Sequence, residues 1–363
     1  MHSFSAGGAE RVVITLANSF ANNGIDVTMI VVSSAGPLAC ELSDKVRVID
    51  LGKKRAITSV RSLGKILKEG AYDSVMSTID NINVTLVVTA RLYRLKTNVV
   101  VRLANAPSQL GRGKTGVKDI IFRLLKPLVF RVTGHADHIV AVSNGVRQDF
   151  LSMNPSAQDR VSVIYNPTIS SKIFELAQES VNLERFFHDG APVILAIGRL
   201  EPQKDFETLI DAFSLIAKER DVRLCILGEG SCRPRLEKKI SSFNLQDKVA
   251  LPGFDNNPYR YLARSSVFVL SSLYEGLPNV LIQALAFGLP IVSTDCKHGP
   301  REILENGALG LLVKPGDCEA MARAINKQIN VPKRVVNKEV LERYTVSGST
   351  KAYRSILCKK AYE

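Results

Sequence analysis

The sequence contains no run of about 18 apolar residues of the kind that crosses a bilayer, so no membrane span is expected. It has no Cys-x-x-Cys pair. Cys40, Cys225, Cys232, Cys296, Cys318 and Cys358 are scattered, and no charged-then-apolar leader segment precedes them. That usage fits reduced thiols and a cytoplasmic location better than a disulfide scaffold. The five histidines do not group with the cysteines at ligand spacing, which argues against a zinc site. No repeat recurs at a solenoid period. Aromatic residues are few for stacking on bases, and no nucleic-acid recognition motif is present. Ser5-Ala6-Gly7-Gly8-Ala9-Glu10 does not supply the Gly-x-Gly-x-x-Gly turn of a dinucleotide oxidoreductase. There is also no convincing carboxylate pair of the kind that hydrolyses glycosides. Acids are short overall, with 35 Asp and Glu against 48 Lys and Arg, a formal net charge of +13. The imbalance is steepest from Arg91 to Arg131, where ten basic residues stand against the single acid Asp119. Such a patch attracts a polyanion: nucleic acid, anionic lipid headgroups or a pyrophosphate-linked substrate.

What is present suits two α/β domains. At 363 residues and 45% hydrophobic content the chain is too long for one ordinary core. Apolar strand-like runs alternate with helical stretches, as parallel sheets with crossover helices require. Strands are expected at 25–32, 46–50, 72–76, 98–102, 138–142 and 161–164, then at 193–198, 222–227, 249–251, 267–270, 291–294 and 310–313. The expected boundaries are 1–168 for the first domain, 169–191 for a linker broken by His188-Asp189-Gly190, 192–340 for the second domain, and 341–363 for a terminal helix crossing back. A helix opens at Gly7-Gly8 with only six residues ahead of it, so the first strand is a stub at most, or the start is truncated. The helix at 59–68 carries Arg61, Lys65 and Lys68 on its outer face. The helix at 117–132 combines Ile120, Ile121, Phe122, Leu124, Leu125, Leu128, Val129 and Phe130 with Lys118, Arg123, Lys126 and Arg131. That pattern fits docking on a membrane surface, and burial under a sheet explains many of the same residues. Pro127 is expected to kink it.

The most informative stretch is 271–290. The apolar run ending at Leu270 leads through Ser271-Ser272-Leu273-Tyr274-Glu275-Gly276-Leu277-Pro278 into a helix for which Asn279 offers a cap, with Gly288 and Pro290 as stop signals. A helix starting just past the carboxyl end of a parallel strand aims its amides and positive dipole end into the crevice where such sheets bind ligands, and that makes a phosphate seat. Val280 and Gln283 share the helix side that would face the anion. A carboxylate beside a phosphate does not bind it, so Glu275 is expected to accept hydrogen bonds from sugar hydroxyls. After the strand ending at Gly198, Arg199 and Lys204 lie five positions apart on one loop and can close on a single diphosphate.

These residues resemble the Glu-x7-Glu signature of the retaining GT-B glycosyltransferases of glycosyltransferase family 4. Glu275 stands as the first acid, and Gln283 replaces the second. The resemblance implies a GT-B architecture, two Rossmann-like doubly wound domains facing across a cleft. It implies a glycosyltransferase that takes a UDP- or GDP-linked hexose or N-acetylhexosamine and passes it, with retention, to a lipid-linked saccharide in cell-surface glycan assembly. Glu275, Arg199 and Lys204 are then the catalytic set. Gly7, Gly8, Gly198, Gly228, Glu229, Phe254, Gly276, Leu277, Asn279, Val280 and Gln283 line the donor, with Arg102 and Asn105 on the acceptor side. Ser143-Asn144-Gly145-Val146 and Tyr165-Asn166-Pro167 match family turns. No metal or other cofactor is expected, since fixed cations take a divalent ion's place. The implied location is the cytoplasmic face of the membrane, held peripherally, with no nucleic acid as partner. A GT-B sugar-nucleotide epimerase and a soluble metabolite glycosyltransferase remain alternatives, separated from this reading by whether a lipid acceptor is required. His135, His138 and His298 are expected to be structural.

Overall fold

The computed structural model describes residues 1–5, 7–109, 117–181, 183, 186–187 and 190–358, with the backbone alone for 117–124. His188, Asp189 and the side chains from Lys118 to Leu124 therefore lie outside the described residues. The chain divides into two compact units: Met1–Thr168 joined by the segment that begins at Glu342, and Ile169–Leu341.

In the first unit, β1 (Thr28–Val31) pairs in parallel with β2 (Arg47–Asp50). A parallel sheet in the order β3 (Ser74–Thr78), β4 (Asn98–Leu103), β5 (His138–Ala141), β6 (Val161–Val163) lies in the same unit. Met1 to Phe4 run alongside β1, with the Val32 and Ser33 amides donating to Met1 and His2 carbonyls at 3.1 Å each. This is the stub the sequence allows before the glycine turn. The Gly8–Asn22 helix buries Val12, Leu16 and Phe20 against Val100 and Val140.

One helix forms against its local propensity, and another departs from expectation. Asp80–Leu92 forms a helix although its middle, Val-Thr-Leu-Val-Val-Thr, is mostly β-branched and disfavours one. Burial overrides propensity there: Thr85 and Thr89 turn their hydroxyls onto the carbonyls of Asn81 and Thr85, each at 2.7 Å. The carboxyl-terminal stretch is two helices, Lys338–Glu342 and Val346–Leu357, rather than one. Thr345 breaks it by capping the second, its hydroxyl accepting the Gly348 amide at 2.9 Å. Tyr353 and Ile356 of that second helix complete the first unit's core beside Val12, Leu16 and Phe20.

The second unit is one six-stranded parallel sheet in the order β12-β11-β10-β7-β8-β9, comprising β7 (Val193–Ile197), β8 (Arg223–Leu227), β9 (Val249–Gly253), β10 (Val267–Leu270), β11 (Ile291–Thr294) and β12 (Leu311–Val313). Its central strands are apolar throughout because helices cover both faces. From β7 the chain builds outward to β8 and β9, then returns to lay β10 on the other side of β7. The order therefore reverses between β7 and β10, the place where open parallel sheets bind ligands. The stretch expected to be a linker packs on this unit instead. Asn257 donates to Leu176 O at 2.8 Å, Arg264 to Ala177 O at 3.0 Å and Arg260 to Ser180 O at 2.7 Å, so its carbonyls are held by side chains of the domain.

Candidate active site

At the reversal point the loops after β7 and β10 are stitched together. The Leu273 backbone amide donates to Gln203 O at 2.8 Å, the Gln203 side-chain Nε2 to Tyr274 O at 2.9 Å, and the Ser271 hydroxyl to Lys204 O at 2.6 Å. These bonds set the two charged residues against each other: Lys204 Nζ lies 2.5 Å from Glu275 Oε1, with side chains only 14% and 8% exposed. Ser272 Oγ adds a second donor to the same carboxylate oxygen at 2.7 Å. The Lys204 stem crosses Gly198, where an added Cβ would stand 3.0 Å from Lys204 Cε. Arg199 is exposed and makes no ion pair among the described residues.

The loop after β8 closes on the loop after β7. Leu200 donates to Glu229 O and Cys232 to Leu200 O, both at 2.8 Å. A Cβ on Gly228, at φ 147°, would fall 1.9 Å from Gly198 O, so only glycine permits this approach. Glu229 is engaged elsewhere: Arg233 grips its carboxylate with two nitrogens at 2.9 and 2.8 Å. The Gly228 amide donates to Gly253 O at 2.8 Å, which brings the next loop alongside, and Phe254 there is 54% exposed.

The loop after β11 completes the edge. Thr294 Oγ1 donates to Ser272 O at 2.6 Å, and the Glu275 amide to Lys297 O at 3.4 Å. Cys296 lies beside the pair; burial pushes its thiol up to about 12, and the nearby Glu275 carboxylate adds to this, so the thiol stays protonated and is no nucleophile.

The Asn279–Ala286 helix starts where the sequence places it, with one correction. Pro278 occupies the cap position and Asn279 is the first helical residue, because the Leu281 and Ile282 amides already turn back to Pro278 O. Gly288, at φ 70°, ends the helix, and the Leu289 amide reaches back to Ala284 O. Gly276 and Leu277 are buried in the approach, and Val280 is half-buried. Gln283 is 8% exposed and donates to the Tyr259 phenol at 3.5 Å.

In the first unit, Gly7 caps the Gly8–Asn22 helix, and a Cβ there would meet Glu10 Oε2 at 2.1 Å. Gly8 is exposed. Arg102, expected on the acceptor side, is instead 1% exposed, its guanidinium bonded to Thr78 Oγ1 at 2.9 Å and Asn166 Oδ1 at 2.5 Å. It ties three strand ends together and does not face solvent. Asn105 is exposed. Sequence reasoning missed Asp80, which follows the carboxyl end of β3. Burial pushes its carboxyl up to about 6, offset in part by Lys126. The residue before it, Ile79, sits at φ 75°, a conformation a β-branched residue adopts only under constraint. Ser77, Asn83 and the Arg102 carbonyl supply that constraint through hydrogen bonds of 2.7 and 3.0 Å. Among the described residues there is no cluster of three metal-ligating side chains, and no helix is long and apolar enough to cross a membrane.

Known proteins share this organisation. The model of the glycosyl transferases group 1 family matches residues 182–339, and that of glycosyltransferase family 4 matches residues 6–169. The chain is 28% identical over 339 residues, 91% of its length and 88% of the relative's, to N-acetylgalactosamine-N,N'-diacetylbacillosaminyl-diphospho-undecaprenol 4-alpha-N-acetylgalactosaminyltransferase of Campylobacter jejuni. It is 30% identical to an uncharacterized glycosyltransferase of Methanocaldococcus jannaschii, over 73% of this chain and 69% of that one. Its fold is similar to the Anabaena HepE structure in complex with UDP and glucose, with a TM-score of 0.75 at 18% identity, covering 99% and 96% of the two chains. With both halves matched in order, the chain belongs to the GT-B glycosyltransferases of the group 1 and family 4 type.

Proposed function

We propose that this glycosyltransferase moves a sugar from a nucleoside-diphosphate donor, with retention of anomeric configuration, to a lipid-linked saccharide in the assembly of a surface polysaccharide. The observation that carries the donor half is the Lys204–Glu275 pair at the reversal point of the second sheet. One loop there offers fixed cations and the facing loop one carboxylate, a combination suited to a diphosphate joined to a polyhydroxylated ring.

Breaking the bond between the anomeric carbon and the phosphate leaves a negative charge on the diphosphate. Arg199, Lys204 and the amides at the start of the Asn279–Ala286 helix stabilise that charge without a metal. Glu275 accepts hydrogen bonds from the sugar hydroxyls and steadies the cationic character at the ring. The departing phosphate takes the acceptor hydroxyl's proton as the new glycosidic bond forms on the same face. Gln283 can bond ribose hydroxyls as an uncharged amide supported by Tyr259.

The acceptor half rests on different support. The Campylobacter jejuni relative is named for a diphospho-undecaprenol-linked acceptor. In the Val117–Thr133 helix, Leu125 and Leu128 are 49% and 58% exposed while Phe130 is fully buried, so part of its apolar face is left for a membrane surface. The test is a thermal-shift panel of UDP-, GDP-, ADP- and dTDP-sugars, followed by transfer to a polyprenyl-diphosphate-linked saccharide with the product's anomeric coupling read by NMR. Stabilisation by one donor and a retained configuration support the reading. Stabilisation by none, or an inverted product, contradicts it.

A further inference from the structure

The basic run that begins at Arg91 is only partly accounted for by membrane docking. Some of it is gathered around a cavity of about 310 Å³ in the first unit, on the edge of the sheet away from the strand ends that carry Asp80, Asn105 and Asn166. Val99 is the second residue of β4 and Asp137 immediately precedes β5, so the cavity lies at the amino ends of these strands. With six residues in β4, that is about 20 Å from the opposite edge.

The walls combine two kinds of surface. Val87 and Val99 contribute apolar area, while Arg91, Arg94, His135 and Asp137 line the mouth. Two of the polar groups are anchored. Arg91 donates to the His135 carbonyl at 3.1 Å, which ties the end of the Asp80–Leu92 helix to the turn before β5. Asp137 accepts the Val99 amide at 2.8 Å, which fixes its carboxylate at the rim. Arg94 sits at φ 48° just past the helix end and forms no ion pair among the described residues. The Leu95 amide reaching back to Ala90 O at 3.0 Å closes the helix end and fixes Arg94 in this left-handed position beside the concave wall.

We infer that this cavity is a second ligand site, for a phosphorylated polyol such as a glycerol phosphate or sugar phosphate group. The guanidinium groups of Arg91 and Arg94 hold the phosphate through charge-assisted hydrogen bonds. The second oxygen of Asp137 accepts from a ligand hydroxyl, which a bare phosphate lacks. The volume has room for one such group. The same chemistry occurs free in solution and at the surface of an anionic bilayer, and the two sources separate by experiment.

The probes are inorganic phosphate, glycerol 3-phosphate, and phosphatidylcholine vesicles with and without phosphatidylglycerol, titrated against the full chain. Glycerol 3-phosphate is expected to bind more tightly than inorganic phosphate. Arg94→Glu is expected to weaken it about tenfold or more, the scale of a lost charge-assisted hydrogen bond. Asp137→Asn keeps an oxygen for the Val99 amide, so the fold holds while the preference for glycerol 3-phosphate over phosphate shrinks. Binding of phosphatidylglycerol vesicles that free glycerol 3-phosphate competes away assigns the site to a lipid headgroup. Binding of the free ester without that competition assigns it to a soluble ligand. Nucleoside-diphosphate binding should be unchanged in both variants, so this inference and the donor reading fail independently. Equal affinity of the wild type and Arg94→Glu for glycerol 3-phosphate, or no binding of any probe, overturns the inference.

Discussion

Replacing Glu275 with Gln separates the two roles assigned to the ion pair. The amide keeps the shape and an oxygen for Ser272 Oγ, but the Lys204 ammonium, 14% exposed, loses its counter-charge. Removing one partner of a buried pair costs about 3 to 5 kcal/mol. The retained oxygen puts this case near the low end, about 3 kcal/mol. In a unit of this size that lowers the melting temperature by roughly 6 to 12 °C. A nucleoside diphosphate then supplies the missing negative charge. At about 100 times its dissociation constant it stabilises the wild type by about 2.7 kcal/mol. At the same concentration it should stabilise Glu275→Gln by about 1 to 2 kcal/mol more, because it also re-pairs Lys204. Transfer should nevertheless fall by about a hundredfold or more, since the sugar loses its carboxylate. Paired denaturation curves with and without nucleotide, alongside turnover, measure all three. If the variant is destabilised yet gains no more from nucleotide than the wild type, Lys204 does not meet the diphosphate and the reasoning is refuted.

Three further expectations follow from the geometry. Asp80 has a folded value of about 6 against an ordinary 3.8, so the native state binds more protons than the unfolded chain between those values, and stability falls as pH rises through that window. Asp80→Asn should therefore be stabilised by up to about 3 kcal/mol at about pH 8, with the gain vanishing toward pH 4 in urea melts. Gly228→Ala forces a Cβ onto the Gly198 carbonyl and should cost several times what Gly316→Ala costs at φ 78° with open space around it; calorimetry compares them directly, and only the first should lose nucleotide binding. Leu128→Glu, at a position 58% exposed, should leave stability within about 0.5 kcal/mol and reduce flotation with anionic vesicles at physiological salt.

Much of the fold was legible because its strands are short apolar runs bounded by Gly, Pro and Ser, and every one of the twelve expected positions overlaps a strand among the described residues. The helix at Asp80–Leu92 lies between two expected strands, where a crossover is required, but its β-branched middle gives no local helix signal, because tertiary burial stabilises it. The break at Thr345 was missed because a cap inside a helical pattern looks like any polar residue until its hydroxyl is seen accepting an amide. At the site, Lys204 and Glu275 were found through their places after strands. Their direct contact was not, since it depends on which strands neighbour each other. Arg102 shows the converse error: a cation at a strand end suggested a ligand, but Thr78 and Asn166, distant in sequence, enclose it. Asp80 escaped notice because its character comes from burial and from the constraint on Ile79.

The central claim is that Arg199, Lys204 and the start of the Asn279–Ala286 helix hold the diphosphate while Glu275 holds the sugar. A structure with the bound nucleotide-sugar tests this most directly. The account predicts phosphate oxygens within hydrogen-bond distance of Lys204 Nζ and the Arg199 guanidinium, with a sugar hydroxyl on the Glu275 carboxylate. A donor bound with its phosphates away from both cations would contradict it.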